Sequence, residues 1–324
     1  MKKIAITMGD PAGVGPEIIV RALAMQETYA CCRPIVIASR PVLEEALSLL
    51  GSHLTLKSIE SPNEADPSLS SINFIETGGP AGFQKRQATA EGGLASIRAI
   101  RKAVELAQAG EVDAIVTAPI SKEALKHAGM KWPGHTEMLA ELTGTQEYAM
   151  MLVGGPLRVI LVTIHTSIKS VPGLITRGNV LRTLRLAAKA AAMLGIMEPR
   201  IAVAGLNPHA GEAGLFGDEE AVAIIPAMED ARNEGIPCTG PYPPDTVFQK
   251  AYKGNIDLIV CMYHDQGLIP LKMIAFDKGV NVTVGLPIIR TSPDHGTAYD
   301  IAWKGVADPS SMMEAIRLAA GLRL

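Results

Sequence analysis

Three histidines each follow a short aliphatic run typical of a buried β-strand. Polar residues just beyond the carboxyl ends of parallel strands lie at one edge of the sheet, where α/β proteins bind ligands. We therefore expect the three histidine loops to open on the same edge. Three imidazole nitrogens with a fourth position left for a substrate oxygen would make a catalytic metal site. The pairs of run and histidine are Val159–Ile164 with His165, Ile201–Ala204 with His209, and Leu258–Met262 with His264.

Imidazole ligands favour zinc as the single ion of such a site, with Mg, Mn or Co as the alternatives, because hard cations prefer carboxylate and water. Asp265 and Glu212 adjoin two of the histidines. Their carboxylates could accept a hydrogen bond from a ring nitrogen and so fix its tautomer. Taken singly, each histidine is equally compatible with a loop side chain that only bonds to the backbone.

A second group of polar residues suits an anion. The segment Gly134–Glu137 precedes a helical pattern, and helix N-terminal amides with a hydroxyl and an imidazole form an anion pocket. Thr136 as a simple helix cap is the alternative. Cationic and amide side chains lie around Val280–Val284, the last predicted strand, and suit a phosphate or carboxylate, although surface solvation would also explain them. These candidate ligands are His135, Thr136, Lys272, Asn281 and Arg290.

The glycine-rich loop after the first strand lacks the usual nucleotide-binding patterns. It contains no G-x-G-x-x-G, Pro11 interrupts the turn, and no strand about 20 residues later ends in an acid, which excludes a Rossmann fingerprint. A phosphate loop of the Walker type is excluded as well, because the chain contains no G-K-[ST].

Short aliphatic runs alternate with helical patterns along the chain, which predicts an α/β fold with a mostly parallel sheet. Residues 50–80 are poorly patterned, and Ser61–Ser71 is typical of a surface loop. The predicted strands are Lys3–Met8, Pro34–Ala38, Asn73–Ile75, Ala114–Thr117, Ala149–Val153, Val159–Ile164, Ile201–Ala204, Leu258–Met262 and Val280–Val284. The longest predicted helices are Glu91–Ala109, Thr176–Leu194 and Asp218–Asn233.

The length and composition set limits on organisation and partners. A chain of 324 residues exceeds one hydrophobic core, so we expect two lobes, residues 1–130 with 290–324, and residues 131–289 carrying the histidines. The 30 Lys and Arg against 33 Asp and Glu leave no positive field for nucleic acid or an anionic membrane. Neither a signal-peptide core nor an apolar run of about 20 residues occurs, which predicts a cytoplasmic protein acting on small molecules.

Two segments resemble the β-decarboxylating isocitrate and isopropylmalate dehydrogenases. Gly9–Glu17 (GDPAGVGPE) resembles an expanded form of their G-D-G-I-G-P-E opening, and Asp294–Ala302 (DHGTAYDIA) resembles their adenosine-binding H-G-S-A-P-D-I-A loop. These dehydrogenases have two lobes and bind NAD without a Rossmann domain. The resemblance implies the same fold and NAD or NADP as cofactor. The implied cofactor ligands are Gly13, Gly15, Asp294, His295 and Gly296.

Over nearly its whole length the chain is similar to the 4-hydroxythreonine-4-phosphate dehydrogenase family of vitamin B6 synthesis. The resemblance implies a divalent metal on the three histidines, substrate contacts from the five candidate anion ligands, and a homodimer with shared active sites. In that dimer, His165 and His209 would face His264 of the partner subunit. The segments that carry the match are Pro133–Glu137, Leu206–Glu212, Met262–Gly267 and Arg290–Thr297.

The implied reaction is NAD(P)-dependent oxidation of the substrate, with loss of carbon dioxide, to 3-amino-2-oxopropyl phosphate. Asp245 and Lys272 are the candidates for proton transfer, although Lys272 could instead bind phosphate and Asp245 could cap a helix. Gly214–Glu220 and Pro243–Phe248 resemble a branch that acts on 4-phospho-D-threonate or 4-phospho-D-erythronate, which is the alternative substrate class. A phosphate acyltransferase and a non-catalytic ligand sensor are more remote alternatives.

Overall fold

The computed structural model describes residues 1–80 and 82–324, which form two compact units. The first unit comprises Met1–Gln146 and Leu286–Gly321, and the second comprises Glu147–Gly285 and Leu322–Leu324. The first lobe was expected to end at residue 130, with residues 131–146 in the second lobe. In the structure, residues 131–146 belong to the first unit. A physical reason is the guanidinium of Arg101, which lies 5.9 Å over the ring of Trp132 and joins this segment to the first unit.

Among residues 1–80 and 82–324, twelve strands form the sheets of the two units. In chain order they are β1 (Lys2–Thr7), β2 (Cys32–Ala38), β3 (Thr55–Ser58), β4 (Ser71–Glu76), β5 (Ala114–Thr117), β6 (Ala149–Gly154), β7 (Leu157–Leu161), β8 (Ile201–Ala204), β9 (Cys238–Tyr242), β10 (Leu258–Cys261), β11 (Val280–Val284) and β12 (Arg290–Pro293).

In the first unit the strand order is β3-β4-β2-β1-β5-β12, and neighbouring strands are parallel. In the second unit the order is β11-β6-β7-β10-β8-β9. There β6 is antiparallel to both of its neighbours, whereas β7, β10, β8 and β9 are parallel. The carboxyl ends of β7, β10 and β8 therefore meet at one edge, as the sequence predicted for the histidine loops.

All nine predicted strands are confirmed, and three further strands of the described residues were missed. The β3 segment is mostly exposed and offers no apolar run. Gly240 and Pro241 interrupt the apolar pattern of β9. Although β12 has the polar sequence RTSP, it is buried along its whole length. The run that begins at Val159 leaves the sheet at Leu161, so His165 follows β7 by four residues.

Within the described part of the chain, twelve α-helices surround the strands of the two units. The predicted helices at Glu91 and Thr176 are confirmed as α4 and α8, each capped by a threonine hydroxyl that accepts a backbone N–H. The third prediction begins with a π-helical turn, Glu220–Ile224, before the α-helix. The helices are α1 (Gly15–Leu23), α2 (Gln26–Cys31), α3 (Arg40–Leu49), α4 (Ala90–Gln108), α5 (Lys122–His127), α6 (His135–Leu142), α7 (Val171–Leu174), α8 (Arg177–Met193), α9 (Ile225–Asn233), α10 (Pro244–Tyr252), α11 (His264–Ala275) and α12 (Ser310–Gly321).

Apolar packing holds the strands of each unit in place. Ile4, Ile6 and Ile37 are fully buried in the first unit. In the second, Val159 and Ile259 belong to one core cluster beneath the histidine loops. In the part of the chain that the structure describes, none of the helices combines the length and the apolar character needed to cross a membrane.

Candidate active site

His165 and His264 lie together beyond the carboxyl ends of two neighbouring parallel strands. Because β7 and β10 pair in parallel, the loops that follow them leave the sheet side by side. The centroids of the two imidazole rings are 5.7 Å apart. His165 is exposed, and 34% of the His264 side chain is exposed. Both line a surface cavity of about 300 Å³, so the structure brings together two of the three predicted metal ligands.

Asp265 orients one of these imidazoles. Its Oδ1 lies 2.7 Å from Nδ1 of His264, as a hydrogen bond from Nδ1–H to the carboxylate would require. Such a bond places the proton on Nδ1 and leaves the Nε2 lone pair for a ligand. The sequence analysis gave Asp265 this role. Glu212, proposed for the same role beside His209, is exposed in the turn that carries that histidine.

His209 lies in an unusual turn after β8. Five successive residues, 209–213, have positive φ values between 42° and 82°, and four of them are not glycine. A left-handed conformation costs roughly 1–2 kcal/mol for each L-residue, so surrounding contacts must stabilise this turn. The His209 side chain is exposed, and its ring centroid lies 6.1 Å from that of Phe216.

The three histidines do not form one cluster within a single chain. Among residues 1–80 and 82–324, no group of three His, Cys, Asp or Glu side chains is placed to hold a metal ion. The resemblance paired His165 with His209, whereas the ring contact in this chain joins His165 to His264. A three-histidine site would therefore require a ligand from a second chain or a movement of the His209 turn.

Lys272 and Asn281 belong to the same unit as the histidines. Lys272 projects from α11 and, with His264 and Asp265, lines a cavity of about 410 Å³. Asn281 lies in β11, and its Oδ1 is enclosed without a hydrogen-bond partner among the described residues. An enclosed and unsatisfied acceptor costs free energy, which a bound donor would recover.

Asp245 occupies the first turn of α10 and is exposed. The residue at the cap position is Pro243, which has no side-chain hydrogen-bonding group. The alternative that Asp245 is the helix cap is therefore wrong. Asp245 lines neither of the two cavities that include His264. Asp245 thus shares neither of these cavities with His264 or Lys272.

Arg290 is the first residue of β12 in the first unit. Only 2% of its surface is exposed, so the surface-solvation alternative is wrong for this residue. Its Nε and Nη2 donate to Oγ1 of Thr117, at 3.1 Å and 2.7 Å. Burial lowers the pKa of the guanidinium to about 10, an effect opposed by the Glu137 carboxylate. Arg290 therefore stays charged at neutral pH.

His135 and Thr136 begin α6 in the same unit. The cap position is occupied by Gly134, so the alternative that Thr136 is the helix cap is wrong. The Nε2 atom of His135 is enclosed and has no hydrogen-bond partner among the described residues. Burial, and secondarily the charge of Arg290, lower the pKa of His135 well below its usual value. A neutral imidazole and a charged guanidinium thus lie within electrostatic reach of each other.

The glycine-rich loop of the first unit packs against residues near Thr297. Val14 N–H donates to the carbonyl of Thr297 at 3.0 Å. A Cβ atom at Gly13 would lie 3.0 Å from Thr297, and one at Gly15 would lie 2.3 Å from the carbonyl oxygen of Met8. Both glycines are therefore required by close backbone approach, whatever ligand this loop binds.

Asp10 connects the same two segments through a buried hydrogen bond. Its Oδ2 accepts from the Tyr299 hydroxyl at 2.6 Å, and its Oδ1 accepts from Ala12 N–H at 2.9 Å. Burial raises the pKa of the Asp10 carboxyl despite these two bonds. Glu17 holds the end of the segment, because its Oε2 accepts from Gly305 N–H at 2.8 Å and its Oε1 from Trp303 N–H.

The implied cofactor residues of the second segment are more open. Asp294 is half-buried, while His295 and Gly296 are exposed. A Cβ at Gly296 would meet no atom within 4 Å, so there is room for a ligand beside this backbone. Sequence reasoning missed Asp10, Thr117 and Tyr299 as parts of these sites. A signal existed for Asp10 and Thr117, since each is a polar residue at or just after the end of an aliphatic strand.

Comparisons with known proteins show the family of this chain. The family model described as pyridoxal phosphate biosynthetic protein PdxA matches residues 30–319. A 4-hydroxythreonine-4-phosphate dehydrogenase of Desulfosudis oleivorans is 51% identical over 98% of this chain and 94% of its own. A D-threonate 4-phosphate dehydrogenase of Cupriavidus necator is 50% identical over 98% of this chain and 96% of its own.

Solved structures confirm the predicted fold class. A 4-hydroxythreonine-4-phosphate dehydrogenase from Klebsiella pneumoniae has a TM-score of 0.93 and 46% identity, covering 99% of this chain and 97% of its own. A β-decarboxylating dehydrogenase from Thermococcus kodakarensis, at a TM-score of 0.51, 15% identity and coverage of 99% and 82%, shares the fold. The chain therefore belongs to the family of the pyridoxal phosphate biosynthetic protein PdxA and is an oxidoreductase of the dehydrogenase type named there.

Proposed function

We propose that this chain catalyses the NAD(P)-linked, metal-dependent oxidation and decarboxylation of 4-hydroxythreonine 4-phosphate to 3-amino-2-oxopropyl phosphate, in the synthesis of pyridoxal 5'-phosphate. The name of the matching family and of its similar members supports this substrate class. The observation that carries the proposal is the pair of imidazoles, His165 and His264, with ring centroids 5.7 Å apart. A nucleotide cofactor and a phosphorylated substrate are consistent with a cytoplasmic enzyme.

The donor set fits a divalent transition ion. Two imidazoles whose ring centroids lie 5.7 Å apart are close enough that both could bind one zinc ion. The carboxylate of Asp265, 2.7 Å from His264 Nδ1, leaves Nε2 free to bind. His209 is the proposed third ligand, with zinc as the ion and Mg, Mn or Co as alternatives. Once bound, the ion would act as a Lewis acid toward the substrate hydroxyl.

The side chains around the substrate would bind its charged ends and move a proton. Arg290 presents a buried guanidinium suited to a carboxylate or phosphate, and the enclosed Nε2 of neutral His135 offers a further polar contact. Asn281 Oδ1 would accept a hydrogen bond from a substrate amino or hydroxyl group. Thr136 would add a hydroxyl at the N-terminus of α6.

Lys272 is the better candidate for proton transfer. It lines the same cavity as His264 and Asp265, whereas Asp245 lies outside the two cavities that include His264. A lysine Nζ in this place could either hold the transferred proton or bind phosphate. Asp245 is the alternative base, and it could act only if the α10 segment closes over the substrate when it binds.

The nicotinamide cofactor would bind along the glycine-rich loop and the segment 294–296. The open space beside Gly296 and the close backbone approach at Gly13 favour a ligand that lies against main chain. When bound, the cofactor accepts the hydride, and the protein has only to orient it. NAD and NADP remain equal candidates.

We further propose a homodimer in which a second copy of this chain completes the metal site. Several large apolar side chains around the histidine loops are exposed, which is unusual unless a partner covers them. Within one chain, the described residues hold two of the three histidines in contact, and a two-fold partner would supply the missing one. The exposed apolar residues are Ile168, Leu215, Phe216, Ile269, Met273 and Phe276.

A second substrate is favoured by the relatives themselves. Two further similar proteins, from Pectobacterium atrosepticum and Salmonella typhimurium, are named D-threonate 4-phosphate dehydrogenase at 47% and 46% identity. D-threonate 4-phosphate carries a hydroxyl where 4-hydroxythreonine 4-phosphate carries an amino group. D-erythronate 4-phosphate is its stereoisomer. The same cation and metal ligands would bind all three.

The test is reduced cofactor formed by metal-stripped and zinc-reconstituted protein with each of the three substrates and with NAD or NADP. We expect turnover only after reconstitution, and the largest kcat/KM with 4-hydroxythreonine 4-phosphate. A larger kcat/KM with D-threonate 4-phosphate would make that compound, and not 4-hydroxythreonine 4-phosphate, the substrate. Acyl transfer without reduced cofactor would support the phosphate acyltransferase, and ligand binding without any turnover would support a sensor.

A further inference from the structure

A buried glutamine connects the loops of two of the metal-ligand histidines. Gln266 is 7% exposed and lies in α11, two residues after His264. Its Oε1 accepts from Met262 N–H at 2.6 Å, at the end of β10. Its Nε2 donates to the carbonyl of Gly205 at 2.7 Å, in the loop that leads to His209. One side chain thus fixes the spacing of two loops that are far apart in sequence.

Met262 also joins the third histidine loop. Its carbonyl accepts from Thr163 Oγ1 at 2.8 Å and from Thr163 N–H at 3.2 Å. Thr163 is 6% exposed and precedes His165 by two residues. A continuous path of hydrogen bonds therefore runs from the His165 loop through Met262 and Gln266 to the His209 loop.

A buried carboxylate holds the far end of this path. Glu220 is 4% exposed, and its Oε1 accepts from both Leu206 N–H and Asn207 N–H at 2.8 Å. Its Oε2 accepts from Asn207 Nδ2 at 2.9 Å. Asn207 lies two residues before the left-handed turn of residues 209–213, so Glu220 fixes the chain just ahead of that turn.

We propose that Thr163, Gln266 and Glu220 are positioning residues that hold the loops of His165, His264 and His209 in the arrangement that binds the metal. None of the three needs to touch the ion. The proposal rests on the metal site of the proposed function and assigns to these residues what the histidines cannot do alone. An exposed loop histidine loses side-chain and backbone freedom when it binds, and loops already fixed by buried hydrogen bonds lose less.

Glutamine is chemically required at position 266. The side chain must accept from one backbone N–H and donate to one backbone carbonyl, and an amide does both at once. Gln266→Met keeps a similar length and loses both bonds. Gln266→Glu keeps the acceptor but directs a carboxylate at the Gly205 carbonyl. Both variants should therefore separate the His264 loop from the His209 loop.

The experiment measures the zinc dissociation constant of the stripped full-length protein by competition with a chromophoric chelator, and the visible spectrum of the cobalt-loaded protein. We expect Gln266→Met, Gln266→Glu and Glu220→Gln each to weaken zinc by about 10–100-fold, the usual cost of losing a partner beyond the ligands. The cobalt spectrum should change in shape, since ligand geometry changes as well as affinity.

Thr163 offers a conservative rescue. Thr163→Val removes the hydroxyl bond to Met262, whereas Thr163→Ser retains it, so only the valine variant should weaken zinc. Thr183→Val is the matched control in the same unit, because Thr183 is also buried and donates to the Asn179 carbonyl at 2.9 Å. It should lower the melting temperature at most and leave the zinc constant unchanged.

The outcomes distinguish the inference from the function on which it rests. If the variants at all three positioning residues bound zinc as tightly as the wild type while His264→Ala abolished binding, the positioning role would be overturned and the metal site would stand. Wild-type protein that binds no zinc, or His264→Ala protein that binds it normally, would overturn both. If Gln266→Met does not fold, the Thr163→Val and Thr163→Ser pair decides by itself.

Discussion

The glycine-rich loop of the first unit and the histidine loops of the second unit differ in how far one chain completes them. The first is held by buried bonds, such as that of Asp10 with Tyr299 and that of Val14 with Thr297. In the second, the supporting residues Gln266 and Glu220 are buried, but His165 and His209 are exposed. The hydrogen bonds that support the histidine loops are therefore present within one chain, whereas the described residues do not bring the three histidines together.

The difference follows from what each loop binds in the proposed function. A nucleotide contacts mainly backbone, so its loop needs a fixed main chain and small residues such as Gly13. A metal needs side-chain nitrogens from several loops, and such side chains stay exposed until the ion and a second chain cover them. Changes in the histidine loops should therefore act on metal and assembly, and changes in the glycine-rich loop on stability and cofactor.

The largest effect is expected from His209→Ala. The variant should lose bound zinc and turnover together, by more than the roughly 10–100-fold that loss of an outer partner costs. It should remain folded, because His209 is exposed. Metal content by mass spectrometry and the melting temperature are the measurements, with the surface variant His127→Ala as control. Full occupancy in the His209→Ala protein would remove this histidine from the site.

The second prediction concerns whether the site is shared between chains. When inactive His209→Ala and His264→Ala proteins are mixed under subunit exchange, half of the dimers are mixed, and a shared site leaves one intact triad in each. About a quarter of wild-type activity should return. This holds whether His209 or His264 crosses the interface. No recovery despite demonstrated exchange would mean that His209 and His264 of each site come from the same chain.

Two further mixtures decide which histidine crosses. The ring contact of His165 with His264 favours His209 as the crossing ligand, so His165→Ala mixed with His209→Ala should regain activity. His165→Ala mixed with His264→Ala should then stay inactive. The opposite result would restore the pairing of His165 with His209 that the resemblance implied.

The third prediction returns to the first unit. Arg290→Ala should weaken binding of the phosphorylated substrate by about 2–5 kcal/mol, because the negative charge of the substrate would be buried without a partner. The KM of NAD should change far less. Arg290→Lys keeps the charge but not the planar guanidinium group. Its affinity for the substrate should therefore lie between those of the wild type and of Arg290→Ala. Equal losses for substrate and NAD would mean that Arg290, bonded to Thr117, acts on the structure of the unit alone.

The smallest effect is expected from Asp10→Asn. Burial raises the pKa of Asp10 above its ordinary value, so the stability that this carboxyl contributes is present at acid pH and is lost as the pH rises through the raised pKa. The neutral asparagine should therefore melt at a higher temperature than the wild type at pH 7, and the gain should shrink toward pH 4. Thermal melts across this range give the measurement.

Tyr299→Phe is the matched test of the same hydrogen bond. Removing the hydroxyl leaves the buried Asp10 carboxyl without its 2.6 Å donor, which should lower the melting temperature at pH 7. A wild type, Asp10→Asn and Tyr299→Phe series with identical pH profiles would show that Asp10 is not strained by its burial.

The sequence by itself determined those helices and strands whose buried positions are occupied by apolar residues. The runs at Val159, Ile201 and Leu258 became β7, β8 and β10, and the helical pattern that begins at Glu91 became α4. Because parallel strands end at one edge, the placement of the histidine loops followed from the same pattern. The specific motifs identified the family before any contact was known.

Only the tertiary structure decided where polar residues lie. β12 is buried although its sequence is polar, so Arg290 turned out to be enclosed beside Thr117 and not solvated. No sequence pattern predicts the left-handed turn at His209. The bond of Gln266 to Gly205 likewise joins two residues that are far apart in the sequence, and no pattern indicates it. Apolar burial is a property of each residue type and is visible locally, whereas a polar residue is buried only when a distant partner satisfies it.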